Sequence, residues 1–312
     1  MRWRLMAVGG ILGALVGCSS AAQPASSTPS TSSPSSSTAP SASVGIEPSA
    51  STAPEASVFA AGSISSDDEE YRITFTPDGG TAYFARGTGF FPQSRRATIL
   101  ESRLVDGEWS EPVPASFSGA YPDIDPWVSP DGESLYFSSI RPVDGVERRD
   151  AEVWRVDREG DGWSDPVHLA AVGSDGDELG ASVSADGVLW FASDRPGGAG
   201  GWDLYTAEPE GDGFAAPAPA ADINTGIWEF NPAISSDGSL LVFTSIGRLE
   251  GSGLGDLFVS TITDGTWTAA DPVAINTPAD EYHASFSPDG ETLYFVRRSG
   301  QGDIYEFPWI LP

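Results

Sequence analysis

The strongest constraint on the fold of this chain is a four-residue motif that recurs five times. It reads Ser or Thr, then Pro, Ala or Ser, then Asp and Gly, and its copies occupy residues 76–79, 129–132, 184–187, 235–238 and 287–290. The copies start 53, 55, 51 and 52 residues apart. A period of this size indicates an array of one supersecondary unit, because such units bury their apolar faces by stacking on one another.

The residues around each motif predict strands. Asp-Gly between two apolar stretches is typical of a tight hairpin turn. Before the first motif, Tyr71, Ile73 and Phe75 alternate with polar residues, and this period of two predicts a strand. A bulky run follows each turn, as at 82–84, and a third run comes later, as at 203–205. Each repeat therefore starts with three strands.

A fourth strand is predicted after a second turn rich in Asp and Gly. It carries an aromatic residue followed by a proline, and the pairs are Trp109 and Pro112, Trp163 and Pro166, Phe214 and Pro217, and Trp267 and Pro272. Proline lacks a backbone donor, so this strand should be the outer edge of its sheet. Four antiparallel strands repeated radially predict an all-β fold, a β-propeller of five four-stranded blades.

The repeat resembles a known family. The succession Ser-Pro-Asp-Gly, Leu-Tyr-Phe and Asp-Ile-Tyr is similar to the WD-like repeat of TolB-type bacterial envelope propellers, and residues 193–198 followed by 203–205 are especially similar. Residues 276–277 with 280–281 match the lead-in of that repeat. The resemblance covers residues 57–312 and implies a propeller, but it says little about activity. TolB-type propellers commonly have six blades, so six is the alternative to five.

The two ends of the repeat region predict how the ring closes. The fifth copy reaches Pro312 without a fourth strand of its own, while residues 58–61 lie before the first copy, where a fourth strand should be. We expect this N-terminal segment to complete the last blade. Such closure hides an edge that would otherwise pair with another chain.

The N-terminus predicts an exported lipoprotein. Arg2 and Arg4 precede an apolar stretch at 5–16, which is too short for a comfortable membrane span, so residues 1–17 are interpreted as a signal peptide. Residues 15–18, Leu-Val-Gly-Cys, resemble the bacterial lipobox. This resemblance implies that Cys18 is palmitoylated and becomes the mature N-terminus, on the outer face of the cell membrane. An ordinary secretory signal with an incidental cysteine is the alternative.

The chain divides into three predicted parts. The signal peptide is followed by residues 18–56, which are almost all Ser, Thr, Pro and Ala and include no aromatic residue. Such a segment buries too little apolar surface to order itself, and we expect a disordered tether. Residues 57–312 form the propeller domain, in which the repeats run without a break.

Charge restricts the partners. Without Arg2 and Arg4 the mature chain has 14 basic and 45 acidic side chains, a balance of −31, and it contains no lysine. Nucleic acid and anionic lipid surfaces are poor partners for such a protein, so contact with the membrane is expected through the N-terminal lipid only. An envelope protein or a glycan, including a cationic ligand, remains open. We expect a monomer and no cofactor.

Two sets of residues recur at fixed positions before the motif. Six residues before it every copy has an acid: Glu70, Asp123, Glu178, Glu229 and Glu281. These carboxylates are interpreted either as an acidic ring that holds a cation at one mouth of the channel or as structural groups that bond to backbone donors. Structural use is favoured because a residue present in every blade usually serves the blade.

The second recurring position carries a different residue type in each copy. Four residues before the motif the copies have Arg72, Asp125, Gly180, Asn231 and His283. Mixed polar residues near the axis are typical of a ligand site, and Trp127 and Trp228 would offer stacking faces. The alternative is a water-filled channel whose lining tolerates polarity.

An enzymatic function receives little support from the sequence. The chain has two histidines, which excludes a metal site built on three, and it lacks the Gly-x-Ser-x-Gly elbow of serine hydrolases. A glycan-active hydrolase would have to use channel carboxylates such as Asp123, Asp125 and Glu229. The primary interpretation is a binding or scaffolding module, with the hydrolase as alternative.

No metal site is expected. Residues 157–162 and 208–213 resemble the first half of a calcium-binding loop, but the twelfth position of the first is His168 rather than Glu. Both segments are predicted to be hairpin turns between third and fourth strands. His168 itself is expected to face solvent on an outer strand.

Overall fold

The computed structural model describes residues 55–89 and 96–309. The predicted signal peptide, Cys18 and all but the last two residues of the predicted tether lie outside these ranges. Regular structure in the described ranges is entirely β. They contain no helix that is long and apolar enough to cross a membrane.

The strands are assigned in chain order. The first is β1 (Ser57–Val58). Blade 1 contains β2 (Glu69–Phe75), β3 (Thr81–Gly87), β4 (Ala97–Val105), β5 (Glu108–Trp109) and β6 (Val113–Pro114). Blade 2 contains β7 (Asp123–Val128), β8 (Ser134–Ser139), β9 (Glu152–Glu159), β10 (Gly162–Trp163) and β11 (Val167–His168). Blade 3 contains β12 (Glu178–Val183), β13 (Leu189–Ser193), β14 (Asp203–Ala207), β15 (Pro209–Glu210), β16 (Gly213–Phe214) and β17 (Ala218–Pro219). Blade 4 contains β18 (Trp228–Ile234), β19 (Leu240–Ile246), β20 (Gly255–Thr263), β21 (Thr266–Trp267) and β22 (Asp271–Pro272). Blade 5 contains β23 (Asp280–Phe286), β24 (Thr292–Arg298) and β25 (Gly302–Pro308).

Each blade is an antiparallel sheet whose strands follow one another from the axis outward. The predicted fourth strand is outermost, as expected, but it is broken into two short pieces. In blade 1, β5 pairs with residues 104–105 of β4, and β6 pairs with residues 100–101 further back. Pro112 lies between the two pieces and has no N–H to donate, which explains the break.

Ring closure by the N-terminus is confirmed, and the blade number is five. Ser57 and Val58 of β1 pair with residues 305–306 of β25, and the Phe59 amide donates to the Ile304 carbonyl at 2.8 Å. The Phe59 ring lies 4.9 Å from the Tyr294 ring of blade 5 and 6.0 Å from the Phe75 ring of blade 1. Residues 57–59 thus join the last blade to the first.

The recurring motif has a structural function in the first hairpin of each blade. The hydroxyl of its first residue donates to Oδ1 of its Asp, as from Ser129 to Asp131 at 2.6 Å, and the glycine adopts a left-handed φ, 76° at Gly132. The segments that resemble calcium loops are also turns: residues 160–161 join β9 to β10, and residues 211–212 join β15 to β16. Because the strands are antiparallel, these first–second and third–fourth turns share one end of the propeller, here called the lower face. The other connections form the upper face.

Candidate functional site on the propeller axis

Every innermost strand has a bulge at the position four residues before the motif, where its pairing register with the second strand shifts. Four of the five residues there have left-handed backbones: Asp125 at 54°, Gly180 at 66°, Asn231 at 44° and His283 at 55°. Gly, Asn, Asp and His tolerate this conformation better than other residues. A bulge re-aims a side chain, and here the side chains meet across the axis.

The structure brings the five variable residues together. The Arg72 guanidinium from blade 1 donates to the carbonyls of Ala181 in blade 3 and Pro232 in blade 4, both at 3.0 Å. Asn231 donates through Nδ2 to Oδ2 of Asp125 at 3.2 Å. Nδ1 of His283 lies 2.9 Å from Oδ1 of the same carboxylate, off the direction of a well-aligned hydrogen bond. All five blades therefore take part in one axial network.

Gly180 makes this network possible. A Cβ atom at residue 180 would lie only 2.8 Å from the Cα atom of Asn231. Any side chain on blade 3 at this level would displace the amide that bonds to Asp125. The glycine among four polar residues is thus explained by space on the axis.

The axial network closes the channel. Arg72 and Asp125 are fully buried, and Asn231 and His283 are each 6% exposed. Burial would raise the pKa of the Asp125 carboxyl, but its interactions with His283 and Arg72 outweigh burial and hold that pKa below its ordinary value. Burial lowers the pKa of Arg72 to about 10, opposed by the Asp125 charge. The mixed polar residues that sequence reasoning assigned to a ligand site are thus buried and bonded within the protein itself.

The two tryptophans do not form one site. Trp127 is buried near the lower end of β7, where its Nε1 donates to the Val183 carbonyl at 3.3 Å. Trp228 is 47% exposed at the upper end of β18 and packs on Gly201, where a Cβ atom would lie 2.2 Å from its Nε1. Five strand positions, on the order of 16 Å, separate their levels on opposite sides of the axial network.

The acidic ring is a set of repeated ion pairs. Each of its carboxylates is fully buried and contacts an arginine on or just after the second strand of its own blade. The pairs are Glu70–Arg86 at 3.0 Å, Asp123–Arg141 at 2.7 Å, Glu178–Arg195 at 3.1 Å, Glu229–Arg248 at 3.2 Å and Glu281–Arg297 at 2.7 Å. This arrangement favours the structural interpretation over cation binding.

The same arginines join neighbouring blades. Arg297 also donates to the Ile275 carbonyl, which lies in the connection from blade 4, at 2.8 Å, and its guanidinium lies 5.2 Å from the Phe295 ring centroid. Arg86 makes the equivalent two contacts in blade 1: it donates to the Ile64 carbonyl, and its guanidinium lies over the Phe84 ring. Sequence reasoning missed these arginines. Their signal was an arginine two to five residues after the bulky run of every repeat.

Two carboxyls of the ring have raised pKa values. Burial raises the pKa of Glu178 to about 7, against hydrogen bonds from Ser174 and Ser193, and the nearby charge of Glu152 adds to the increase. Burial likewise raises the pKa of Glu70 to about 6. At these two carboxyls the folded protein therefore binds more protons than the unfolded chain between pH 4.5 and about 7.

We expect the free energy of unfolding to decrease as the pH rises through this interval, by on the order of 2 kcal/mol. Glu178→Gln should flatten the profile, because residue 178 then has no proton to release. Urea unfolding followed by tryptophan fluorescence between pH 5 and 8 measures the effect. Glu291→Gln, on an exposed turn, is the control and should retain the wild-type slope. A Glu178→Gln profile as steep as the wild-type one would contradict this assignment.

His168 differs from the prediction that it faces solvent. Its Nε2 lies 3.2 Å from Oε2 of Glu152, and its ring packs 5.1 Å from the Trp154 ring, so the residue is only partly exposed. The strand prediction was correct, since His168 ends β11. The side chain turns inward because Glu152 and Trp154 on the neighbouring β9 supply both a polar and an aromatic partner.

Below the axial network the channel opens into a cavity of about 100 Å³ on the lower face. Trp127 and Ile234 line its apolar base, and residues at the second position of four motifs line its rim. Across residues 55–89 and 96–309, no group of three or more His, Cys, Asp and Glu side chains is arranged to hold a metal ion.

No family model and no curated protein sequence matches the chain. Among solved structures it is similar to an α-L-arabinofuranosidase from Lactobacillus brevis, with 14% identity and a TM-score of 0.53, over 78% of this chain and 91% of that one. It is also similar to a glycoside hydrolase, with 11% identity and a TM-score of 0.55, over 81% of this chain and 92% of that one.

A third structure is an endo-arabinase from Bacteroides thetaiotaomicron, with 14% identity and a TM-score of 0.47, over 80% of this chain and 97% of that one. Identities this low show a shared fold and nothing about chemistry. The chain is a five-bladed β-propeller, and the two similar structures with TM-scores above 0.5 share its fold.

Proposed function

We propose that this protein is a non-enzymatic binding module of the bacterial cell envelope, attached to the membrane through lipid on Cys18 and presenting its propeller to a protein or glycan ligand. The closed axis carries this proposal. The polar side chains that a channel enzyme would expose to substrate are buried and bonded to one another. Binding does not require reactive groups, whereas catalysis does.

The hydrolase alternative is supported by the glycan-hydrolysing enzymes among the similar structures and opposed by the geometry. Glycoside hydrolysis needs two carboxyl groups that flank the sugar, one as acid and one as base or nucleophile. Asp123 and Glu229 are fully buried in ion pairs with arginine, and Asp125 lies within the axial network. These three carboxyls have no open space between them for a sugar.

A combined assay separates the two functions. The mature chain carrying Cys18→Ala is applied to a glycan array and incubated with arabinan and other polysaccharides, and released reducing ends are measured. We expect no release of reducing ends, whether or not a glycan binds. The binding-module proposal would be overturned if reducing ends were released and the variant Asp125→Asn, assayed below its unfolding temperature, bound the sugar without releasing them.

Anchorage has its own prediction, which rests on the lipobox resemblance. Cys18→Ala should shift the protein from the detergent phase to the aqueous phase in a detergent-partitioning experiment, or leave an uncleaved precursor, because the acylated side chain is gone. Ser19→Ala, a neighbouring change that keeps the cysteine, is the matched control and should partition like the wild type. Equal partitioning of all three proteins, each cleaved to the mature length, would refute lipidation.

A further inference from the structure

The lower-face cavity is of side-chain size, and its lining combines apolar groups with the hydroxyl-bearing side chains of Thr74, Ser129 and Ser287. Trp127 and Ile234 form its base, and Pro77, Pro130, Ser236 and Pro288 form its rim. Its volume of about 100 Å³ is smaller than that of an engineered apolar cavity that binds benzene, roughly 150 Å³. The space therefore fits one aliphatic side chain and is too small for a sugar chain.

The rim is surrounded by fixed negative charge. Each rim residue is followed in sequence by the motif aspartate, so Asp78, Asp131, Asp237 and Asp289 lie directly beside the rim, and all four are exposed. A hydroxyl donates to Oδ1 of each, and so does a backbone amide two residues further on, as from Gly80 to Asp78 at 2.9 Å. These bonds hold the pKa of each carboxyl below its ordinary range.

The charge extends over the lower face. The turns between third and fourth strands add exposed acids, among them Asp106, Asp161, Asp212 and Asp264. One opposing cation near the rim is Arg158, whose charge acts on Asp78 while its guanidinium lies 3.9 Å from the Trp163 ring centroid. The lower face thus combines a small cavity that has apolar side chains at its base with a predominantly negative surround.

We propose that the lower face binds a basic segment of a partner protein, which inserts one apolar side chain into the axial cavity while flanking Lys or Arg residues contact the aspartate rim. This inference rests on the proposed binding function and gives it a surface and a partner chemistry. A neutral glycan would gain nothing from the rim charge. A polypeptide offers both an apolar side chain and neighbouring cations.

The test uses defined peptides. Fluorescein-labelled Lys-Lys-Leu-Lys-Lys, Lys-Lys-Ser-Lys-Lys and Glu-Glu-Leu-Glu-Glu are titrated with the mature chain carrying Cys18→Ala, and binding is followed by fluorescence anisotropy in 50 mM NaCl. We expect the leucine-containing basic peptide to bind at least about fivefold more tightly than its serine counterpart, because burying the leucine side chain removes apolar surface from water. The acidic peptide should not bind.

Two variants locate the site. Ser236→Phe places an aromatic side chain at the rim, where other motif copies carry Pro or Ala, and should remove the preference for leucine over serine. The pair Asp237→Asn and Asp289→Asn should weaken both basic peptides about two- to fivefold and reduce their salt dependence, since an amide keeps the turn bond but not the charge. The matched control is the pair Asp67→Asn and Asp68→Asn, exposed acids that precede β2 on the upper face, and it should bind like the wild type.

Three outcomes would overturn the inference. They are no binding of the basic peptides, equal binding of the leucine and serine peptides, and a leucine preference that Ser236→Phe leaves intact while thermal melting shows the variant folded. None of these results touches the broader function, which the glycan and reducing-end assays test separately. If peptides fail and a glycan binds without cleavage, the protein remains a binding module with a different binding surface.

Discussion

Deletion of residues 57–64 is expected to abolish the single cooperative unfolding transition of the propeller or to lower its Tm by at least about 15 °C. The deletion removes β1 from the edge of β25 and removes Phe59, which is 8% exposed between the aromatic rings of blades 1 and 5. Truncation of a buried phenylalanine alone costs about 3–5 kcal/mol. For a domain of this size each 1 kcal/mol corresponds to about 2–4 °C in Tm.

Thermal unfolding followed by circular dichroism measures the effect. Three further variants serve as comparisons. Phe59→Ala should reproduce much of the loss, about 6–20 °C. Leu104→Ala, at a residue 44% exposed on the lower part of β4, should stay within about 0.5 kcal/mol of the wild type. Deletion of residues 20–50, within the predicted tether, should leave the Tm unchanged.

Adding the deleted segment back as a separate peptide tests whether the lower Tm results from the loss of ring closure or only from shortening the chain. A synthetic peptide of residues 55–66, added in excess to the 57–64 deletion, should raise the Tm in a concentration-dependent manner, since it binds the folded state only. A peptide with Phe59 replaced by Ala should do so much less. If the two deletions melted alike, closure by β1 would contribute nothing to stability.

The propeller architecture could be predicted from the sequence because the signals for its turns and strands are local and recur with a fixed period. The Asp-Gly turns, the alternation around Ile73 and the aromatic-proline strands each lie within one repeat, and the repeats count the blades. Ring closure was predicted by counting strands in the repeats. The last copy lacks a fourth strand, and the residues before the first copy supply one. These inferences need no knowledge of which residues meet across the ring.

The candidate site could be predicted only in part, because its contacts are long-range. The sequence indicated that residues 72, 125, 180, 231 and 283 share one level near the axis, and the structure places them there. It did not indicate that Asn231 bonds to Asp125, a residue 106 positions away. The arginine partners of the acidic ring were missed for a related reason: they lie 16 to 19 residues from their carboxylates, and the loop between differs in length from blade to blade.

The tryptophans illustrate a different limit. Trp127 and Trp228 were grouped because both lie near variable axial residues in sequence. A strand rises about 3.3 Å per residue, so five positions move a side chain from one face of the propeller to the other. Proximity in sequence to an axial residue does not decide on which side of the network a side chain lies.

Asp125→Asn is expected to lower the free energy of unfolding by about 3–5 kcal/mol, although asparagine has nearly the same shape and tolerates the left-handed backbone. The substitution removes the negative charge that acts on the fully buried Arg72 guanidinium and that lies 2.9 Å from Nδ1 of His283, and an uncompensated buried charge costs far more than an exposed pair contributes. Urea unfolding at pH 7 measures the difference. The matched control is Asp106→Asn, which has φ 53° but lies exposed on a turn, and it should cost less than about 0.5 kcal/mol.

The double variant Arg72→Met with Asp125→Asn completes a thermodynamic cycle. Methionine occupies much of the arginine volume without its charge, so the double variant should be less destabilised than the sum of the single changes, with a coupling energy of about 1–3 kcal/mol. This result would mean that the mixed residues on the axis are there to bind one another across the ring. If Asp125→Asn proved neutral, the network would be dispensable for folding, and the five residues would then require a ligand to explain their variety.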